Sequence, residues 1–280
     1  MMPREEEHIA DRTATAPSRI VLLGRDHEAL AVVATRAVGH DAAVGLARGW
    51  RPKPYAYVDP NEDAAGCVVG RRARLLVVAD GHNGHRASHA AVAAVMDLLG
   101  DDPPPADLTE DEMFAAVQLI EDRIALATDD LDGPRSRTTL VVALRTPTQL
   151  QWFGAGDSAL LVFERGPARR LPTRAPWFFG DDPGHHTLRR SLARGRIDLA
   201  PWAWVVAVTD GYTDYVPDEL TPEAAVARAL VDTAGGAERA VGALLDQARR
   251  GGAGDNVGVS VSGPWYTPHD GYDHHSGHHR

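Results

Sequence analysis

The stretch Leu75-Leu-Val-Val-Ala-Asp-Gly-His-Asn-Gly-His85 is an apolar run that stops at an acidic turn. An unbroken aliphatic run of this length reads as a buried strand, and Asp80-Gly81 is a dipeptide suited to ending one. Just beyond it, Ala87 to Leu99 sets Val92, Val95, Met96 and Leu99 at helical spacing, with Gly100 placed to stop the helix. The piece is strand, acidic turn, helix, and its first two parts recur along the chain. Trp204-Val-Val-Ala-Val208 runs into Thr209-Asp210-Gly211. Leu150 to Gly154 runs into Gly156-Asp157-Ser158 and then Ala159-Leu-Leu-Val-Phe163, a pattern that predicts a β-hairpin. Val257-Gly-Val-Ser-Val261 alternates as a half-buried strand does, with Asp255 just before it. Glu62-Asp63 stand in the same relation to Ala64 to Val69.

Outside these strands the helices come in pairs. Thr109-Glu-Asp-Glu112 is a capping-box pattern, and Met113, Val117, Ile120 and Ile124 form one apolar stripe behind it. Near the C-terminus, Thr221-Pro222 opens one helix, and Gly236 to Arg250 carries Val241, Leu244, Leu245 and Ala248 on one side. A further strand, Thr139-Leu-Val-Val-Ala-Leu144, lies between the pairs, while Leu171 to Ala200, rich in Pro and Gly, reads as an irregular flap. The predicted class is α+β, with antiparallel strands covered by helices. Ile20 to Trp50 is expected to pack on this body as an extension, with Ala29 to Val38 a strand or short helix.

Composition narrows the function classes. Among 280 residues, 44% are apolar, enough for a full core. The 29 basic and 39 acidic residues give a net charge of −10, which disfavours a nucleic-acid partner. The one cysteine, Cys67, excludes an internal disulfide and reads as a small core residue. Met1 to Pro17 is polar and acidic, unlike a signal peptide. No apolar run reaches the ~18 residues of a membrane span. The chain is expected to be cytoplasmic, with no membrane partner. Residues 1–19 are expected to be disordered, 20–263 to form one domain, and 264–280 to be a flexible tail with His269, His274, His275, His278 and His279. Trp177, Trp202 and Trp204, around the flap, are expected to pack in the core or at a hinge.

The chemistry rests on the acidic strand ends. A lone Asp-Gly is an ordinary turn. Glu62, Asp63, Asp80, Asp157, Asp210 and Asp255 all lie where a strand begins or ends, so strand ends meeting at one rim would gather them. Oxygen ligands without Cys suit Mg²⁺ or Mn²⁺ rather than structural zinc.

Five segments in order, Asn61-Glu-Asp63, Val77 to His85, Gly154-Ala-Gly-Asp-Ser158, Val208 to Val216 and Asp255-Asn-Val-Gly-Val259, resemble the motifs of the metal-dependent Ser/Thr phosphatases of the protein phosphatase 2C (PPM) family. The resemblance covers about residues 55–263, and Thr138-Thr139 fits it too. It implies a four-layer αββα sandwich with two cations at one end, Mg²⁺ or Mn²⁺. Asp80 would bridge both ions and Gly81 would offer its carbonyl. Asp210 and Asp255 would hold one ion, Glu62 or Asp63 would contribute directly or through water, and Asp157 would serve a third ion. A water activated between the ions would attack phosphorus in line, without a phosphoenzyme. His82 would protonate the leaving alkoxide or orient a ligand. His85 and His89 would have structural or solvated roles. The implied substrates are phosphoserine and phosphothreonine proteins, presumed by the resemblance to be made by a Ser/Thr kinase. The alternatives are a pseudo-phosphatase or phospho-binding module, and a small-molecule phosphoesterase on the same fold.

The chain departs from the family at Val58, where an arginine commonly grips the phosphate. Valine cannot supply a bidentate guanidinium. Arg51, Lys53 and Arg86 are the nearby cations, each expected to be a solvated surface charge unless it substitutes. Arg137 stands where a small residue is usual.

Overall fold

The computed structural model describes residues 18–100, 108–129, 135–181, 184–231 and 236–265. The strands in chain order are β1 (Ser18–Leu23), β2 (Val33–Val38), β3 (Ala42–Ala47), β4 (Ala64–Val69), β5 (Arg74–Ala79), β6 (Gly81–His82), β7 (Arg137–Thr138), β8 (Leu140–Arg145), β9 (Gln149–Ala155), β10 (Ala159–Phe163), β11 (Arg169–Leu171), β12 (Ala193–Asp198), β13 (Trp204–Val208) and β14 (Val257–Ser262). The helices are α1 (Arg86–Leu99), α2 (Glu110–Thr128), α3 (His185–Ser191), α4 (Asp210–Thr213), α5 (Pro222–Val231) and α6 (Ala237–Arg250).

Two antiparallel six-stranded sheets carry the fold. The first has the order β1-β4-β5-β8-β9-β12 and the second β11-β10-β13-β14-β3-β2. Alternation along β5 shows how they stack. Leu75, Val77 and Ala79 point to a core shared with Val92, Val95 and Met96 of α1 and Val117, Ile120 and Ile124 of α2. Leu76 and Val78 point the other way, to a core between the sheets with Val44, Leu46, Val205 and Ala207. On the far side, Val206, Val208, Val259 and Val261 meet Val241, Leu244 and Leu245 of α6 and Val226 and Leu230 of α5. The layers are therefore helices, sheet, sheet, helices. Cys67 is fully buried in the middle core, and burial pushes its thiol up to about 12. An unreactive core residue is the result.

The caps form as the sequence predicts. Thr109 accepts from the Glu112 amide while the Glu112 carboxylate accepts from the Thr109 amide. Thr221 accepts from the Ala224 amide ahead of Pro222.

Five expectations are corrected. β9 and β10 are not a hairpin: β9 belongs to the first sheet and β10 to the second, so Gly156-Asp157-Ser158 is a crossover between sheets. Nearly every residue flanking that turn is buried, which a two-sided layer demands and a solvent-facing hairpin does not. β14 is buried along its whole length: α6 covers its valine face, and the face that alternation assigned to solvent lies against the first sheet, where Ser260 Oγ donates to the Gly66 carbonyl (2.9 Å) and Ser262 Oγ accepts from Arg74 and Arg145. The Leu171 to Ala200 flap holds α3 and β12, and β12 is the edge strand of the first sheet. Residues 20–50 are no appended layer: β1 pairs with β4 in one sheet, and β2 and β3 belong to the other. Trp177 and Trp204 are buried and Trp202 is 40% exposed beside Arg165. Of the expected terminal segments 1–19 and 264–280, residues 1–17 and 266–280 lie outside the described residues, while Ser18 and Arg19 are not disordered but open β1, paired with Val69 and Val68. Among the described residues no helix is long and apolar enough to cross a membrane.

Candidate metal centre

Ligands arrive at one rim from both sheets. Asp80 follows β5 and Asp157 sits in the β9–β10 crossover. Asp210 follows β13 and opens α4. Carboxylate oxygens of Asp80, Asp157 and Asp210 all lie within 4.8 Å of one another. An oxygen of Asp157 and one of Asp210 are buried with no hydrogen-bond partner. Buried polar atoms are nearly always paired, which makes these two oxygens candidate ligand atoms. Burial raises the Asp80 carboxyl well above its ordinary value, with the charges of Asp63, Asp210 and Asp255 adding to it. Burial likewise pushes Asp210 up to about 7, helped by Asp255 and Asp157. Crowded carboxylates of this kind are relieved by a hard divalent cation, and the all-oxygen set fits Mg²⁺ or Mn²⁺.

The backbone around the cluster is fixed from several directions. The Asp80 amide donates to Thr139 Oγ1 (3.0 Å), and the Asp80 carbonyl accepts from Thr138 Oγ1 (2.8 Å) and the Thr139 amide (3.0 Å). Thr139 Oγ1 is bonded in turn to Ser158 Oγ at 2.7 Å, tying Asp80 to the crossover that carries Asp157. β6 and β7 form a two-residue ribbon in which Gly81 faces Thr138 and His82 faces Arg137. A Cβ on Gly81 would stand 2.5 Å from the Glu62 carbonyl, so only glycine lets the two segments approach. Asn256 ties two segments to its own: its side chain accepts from the Glu62 amide (2.9 Å) and donates to the Arg48 and Pro60 carbonyls (3.0 Å each). Sequence reasoning missed Asn256 as a positioning residue, although it lies inside the Asp255-Asn256 motif.

The other expected ligands are engaged elsewhere. Glu62 Oε1 accepts from the amides of Val58 (3.2 Å), Asp59 (3.1 Å) and Gly84 (2.9 Å). Asp63 accepts from Thr209 Oγ1 at 2.8 Å, and its other oxygen is buried without a partner. Burial pushes the Asp63 carboxyl up to about 8, with Asp255 adding and Lys53 opposing. Asp255 accepts from the Tyr55 hydroxyl, and Lys53 Nζ lies 3.2 Å from Asp255 and 3.7 Å from Glu62. The expectation of a solvated Lys53 is therefore corrected: its side chain is 5% exposed. No periodic signal marks a buried lysine in a loop, which is why the sequence hid it.

A groove of about 360 Å³ opens beside the centre, lined by Tyr55, Tyr57, Val58, His82, Asn83 and Arg137 among others. Val58 is 66% exposed there, and Arg51 is also exposed. Arg86 reaches the Ala127 carbonyl at 3.4 Å. The unexplained Arg137 acquires a setting: its guanidinium lies 4.6 Å from the centre of the Phe178 ring and 3.5 Å from Asp181. His82 meets the same ring edge-on at 4.7 Å, and its Nε2 is buried without a partner. Burial lowers the His82 imidazole, opposed by the Asp157 carboxylate. His85 Nδ1 sits 2.7 Å from Asp59, away from the three-carboxylate cluster.

Comparison with known proteins agrees with this arrangement. No curated protein sequence matches the chain. Among solved structures, the catalytic domain of the serine/threonine protein phosphatase PstP, in complex with two manganese ions, superposes with a TM-score of 0.61 at 23% identity, covering 83% of this chain and 99% of that one. PstP/Ppp of Mycobacterium tuberculosis gives 0.58 at 24% identity over 84% and 100% of the two chains. The PPM Ser-Thr phosphatase MsPP of Mycobacterium smegmatis, in complex with cacodylate, gives 0.55 at 22% over 81% and 100%. These likenesses show the fold. The family model for protein phosphatase 2C matches residues 56–244, most of the sandwich and all but the last acidic motif, and on that match the chain belongs to the protein phosphatase 2C family.

Proposed function

We propose that the chain is a divalent-cation-dependent phosphatase of phosphoserine and phosphothreonine in proteins. The observation that carries the reading is the convergence of Asp80, Asp157 and Asp210 with two buried oxygens unpartnered, next in the chain to Gly81 and His82, which line an open groove. Bound there, Mg²⁺ or Mn²⁺ would supply charge to the phosphate oxygens and lower the pKa of a bound water. Asp80, Asp157 and Asp210 would hold the ion, and Gly81 lets the Glu62 segment pack close beside Asp80. His82 faces the groove as a neutral imidazole, since burial disfavours its charged form. A bound phosphate dianion would favour its protonation, so its acid role belongs to the substrate complex. The groove is open to solvent and flanked by Tyr55 and Tyr57, which suits a phosphorylated side chain presented on a polypeptide.

A phospho-binding module without turnover is the second reading. The filled positions around Glu62 and Asp255, together with Val58, favour it. One set of assays separates the readings. With Mn²⁺ the protein should hydrolyse a chromogenic phosphate ester and phosphopeptides, lose both activities to a chelator, and lose at least about 10²-fold in kcat in Asp80→Asn. Phosphopeptide binding without turnover in Mn²⁺ would establish the second reading. Turnover of the ester alone would make it a small-molecule phosphoesterase.

A further inference from the structure

The acidic rim has two halves, and they differ in what neutralises them. Asp80, Asp157 and Asp210 face one another with no cation from the protein between them among the described residues. Glu62 and Asp255 face a cation the chain itself provides. Lys53 is the only lysine of the chain; every other member of its 29 Lys and Arg is arginine. It stands between Pro52 and Pro54 in a loop whose backbone is exposed, and the following proline holds it extended. Its side chain turns inward all the same, with Nζ 5.6 Å from the centres of both the Tyr55 and Tyr57 rings. Glu62 Oε2 and Asp255 Oδ1 are its partners. The remaining oxygens of those carboxylates are taken by backbone amides and by the Tyr55 hydroxyl.

An ammonium is compact and carries three donors, so it can hold two carboxylates as a point charge where a planar guanidinium would not fit. Burying one is costly unless it is paired, and here it is paired twice. A divalent ion held by Glu62 and Asp255 would have to displace this group. We propose that Lys53 is a resident cation of the centre: its ammonium replaces one of two divalent ions, and the chain binds a single ion at Asp80, Asp157 and Asp210. This rests on the phosphatase reading for the identity of that ion. It goes beyond that reading in assigning the second positive charge to the protein. A merely structural lysine would pin the loop without altering how many ions bind.

The test is the ion count. At saturating Mn²⁺ the full chain should bind one ion in the centre and show an uncoupled Mn²⁺ electron-paramagnetic-resonance signal. Lys53→Met should bind two and show the exchange coupling of a bridged pair. An exchange-coupled pair in the unaltered chain overturns the proposal while leaving the phosphatase reading intact. No ion at all overturns both. Should Lys53→Met fail to fold, the unaltered chain still decides. Lys53 is the one lysine that acetic anhydride can acylate, so mass spectrometry reads its amide directly after hydroxylamine has removed tyrosine esters, and Lys53 should stay protected when Mn²⁺ is saturating. Mn²⁺-induced acetylation of Lys53 would show that the ion, not the ammonium, holds the place.

Discussion

His89 shows how one side chain sets an acid limit on the fold. It lies on the inner side of α1, 6% exposed, with its ring 4.4 Å from that of His85. Burial lowers its pKa to about 3, and the neighbouring His85 and Arg25 push the same way. The unfolded chain therefore takes up this proton near about 6.5 while the folded chain does not, so the unfolded state gains as pH falls from there toward 3. His89→Leu should be as stable as the parent near neutrality, and its advantage in urea midpoint should widen between about pH 7 and about pH 5. A constant difference across that range would mean the imidazole is charged in the fold. Legibility at this scale follows backbone logic. Asp80, Asp157 and Asp210 end apolar runs and could be read; Lys53 and Asn256 act through contacts far away in sequence, which no local pattern records.

At the scale of elements, the crossover after β9 is where the sequence misleads. A glycine-acid-serine turn between two apolar strands is what a hairpin looks like, and only the stacking of two sheets turns it into a bridge between layers. Gly156 makes the bridge possible. Its φ is +85°, and a Cβ there would stand 2.6 Å from the Thr139 side chain, the residue that fixes Asp80. Gly166 has a similar φ of +82° with nothing within 4 Å. Gly166→Ala should therefore lose only the cost of the left-handed backbone, about 1 kcal/mol, while Gly156→Ala should lose clearly more and weaken Mn²⁺ binding as well. Calorimetric titration and denaturant midpoints of the two variants measure both effects, and equal losses would remove the contact from the explanation. The capped helices and their apolar stripes were readable because their signals are local. α3, β12 and the places of β1, β2 and β3 in the two sheets were not, since edge strands and short helices owe their form to neighbours.

On the proposed function, the stability of the whole molecule is coupled to a divalent ion at the acidic rim. Three carboxylates that repel one another in the folded state are scattered in the unfolded chain, so a cation bound only by the folded form stabilises it by mass action. Each tenfold rise in Mn²⁺ above its dissociation constant should add about 1.4 kcal/mol and raise Tm steadily, whereas Na⁺ at equal ionic strength should not. A Tm indifferent to Mn²⁺ would mean that the cluster stays empty. The overall architecture was the most legible level, because alternating cores and ordered motifs constrain it from many residues at once. One consequence of the second sheet concerns synthesis. Its strands β11-β10-β13 and β3-β2 are joined only through β14, the last strand among the described residues. Asn256, which holds the Glu62 segment, stands at its threshold. Until β14 has been made, β13 and β3 lack the neighbour that pairs their inner edges. That late strand is the keystone of its sheet, and the Glu62 segment is clamped only once it has been set.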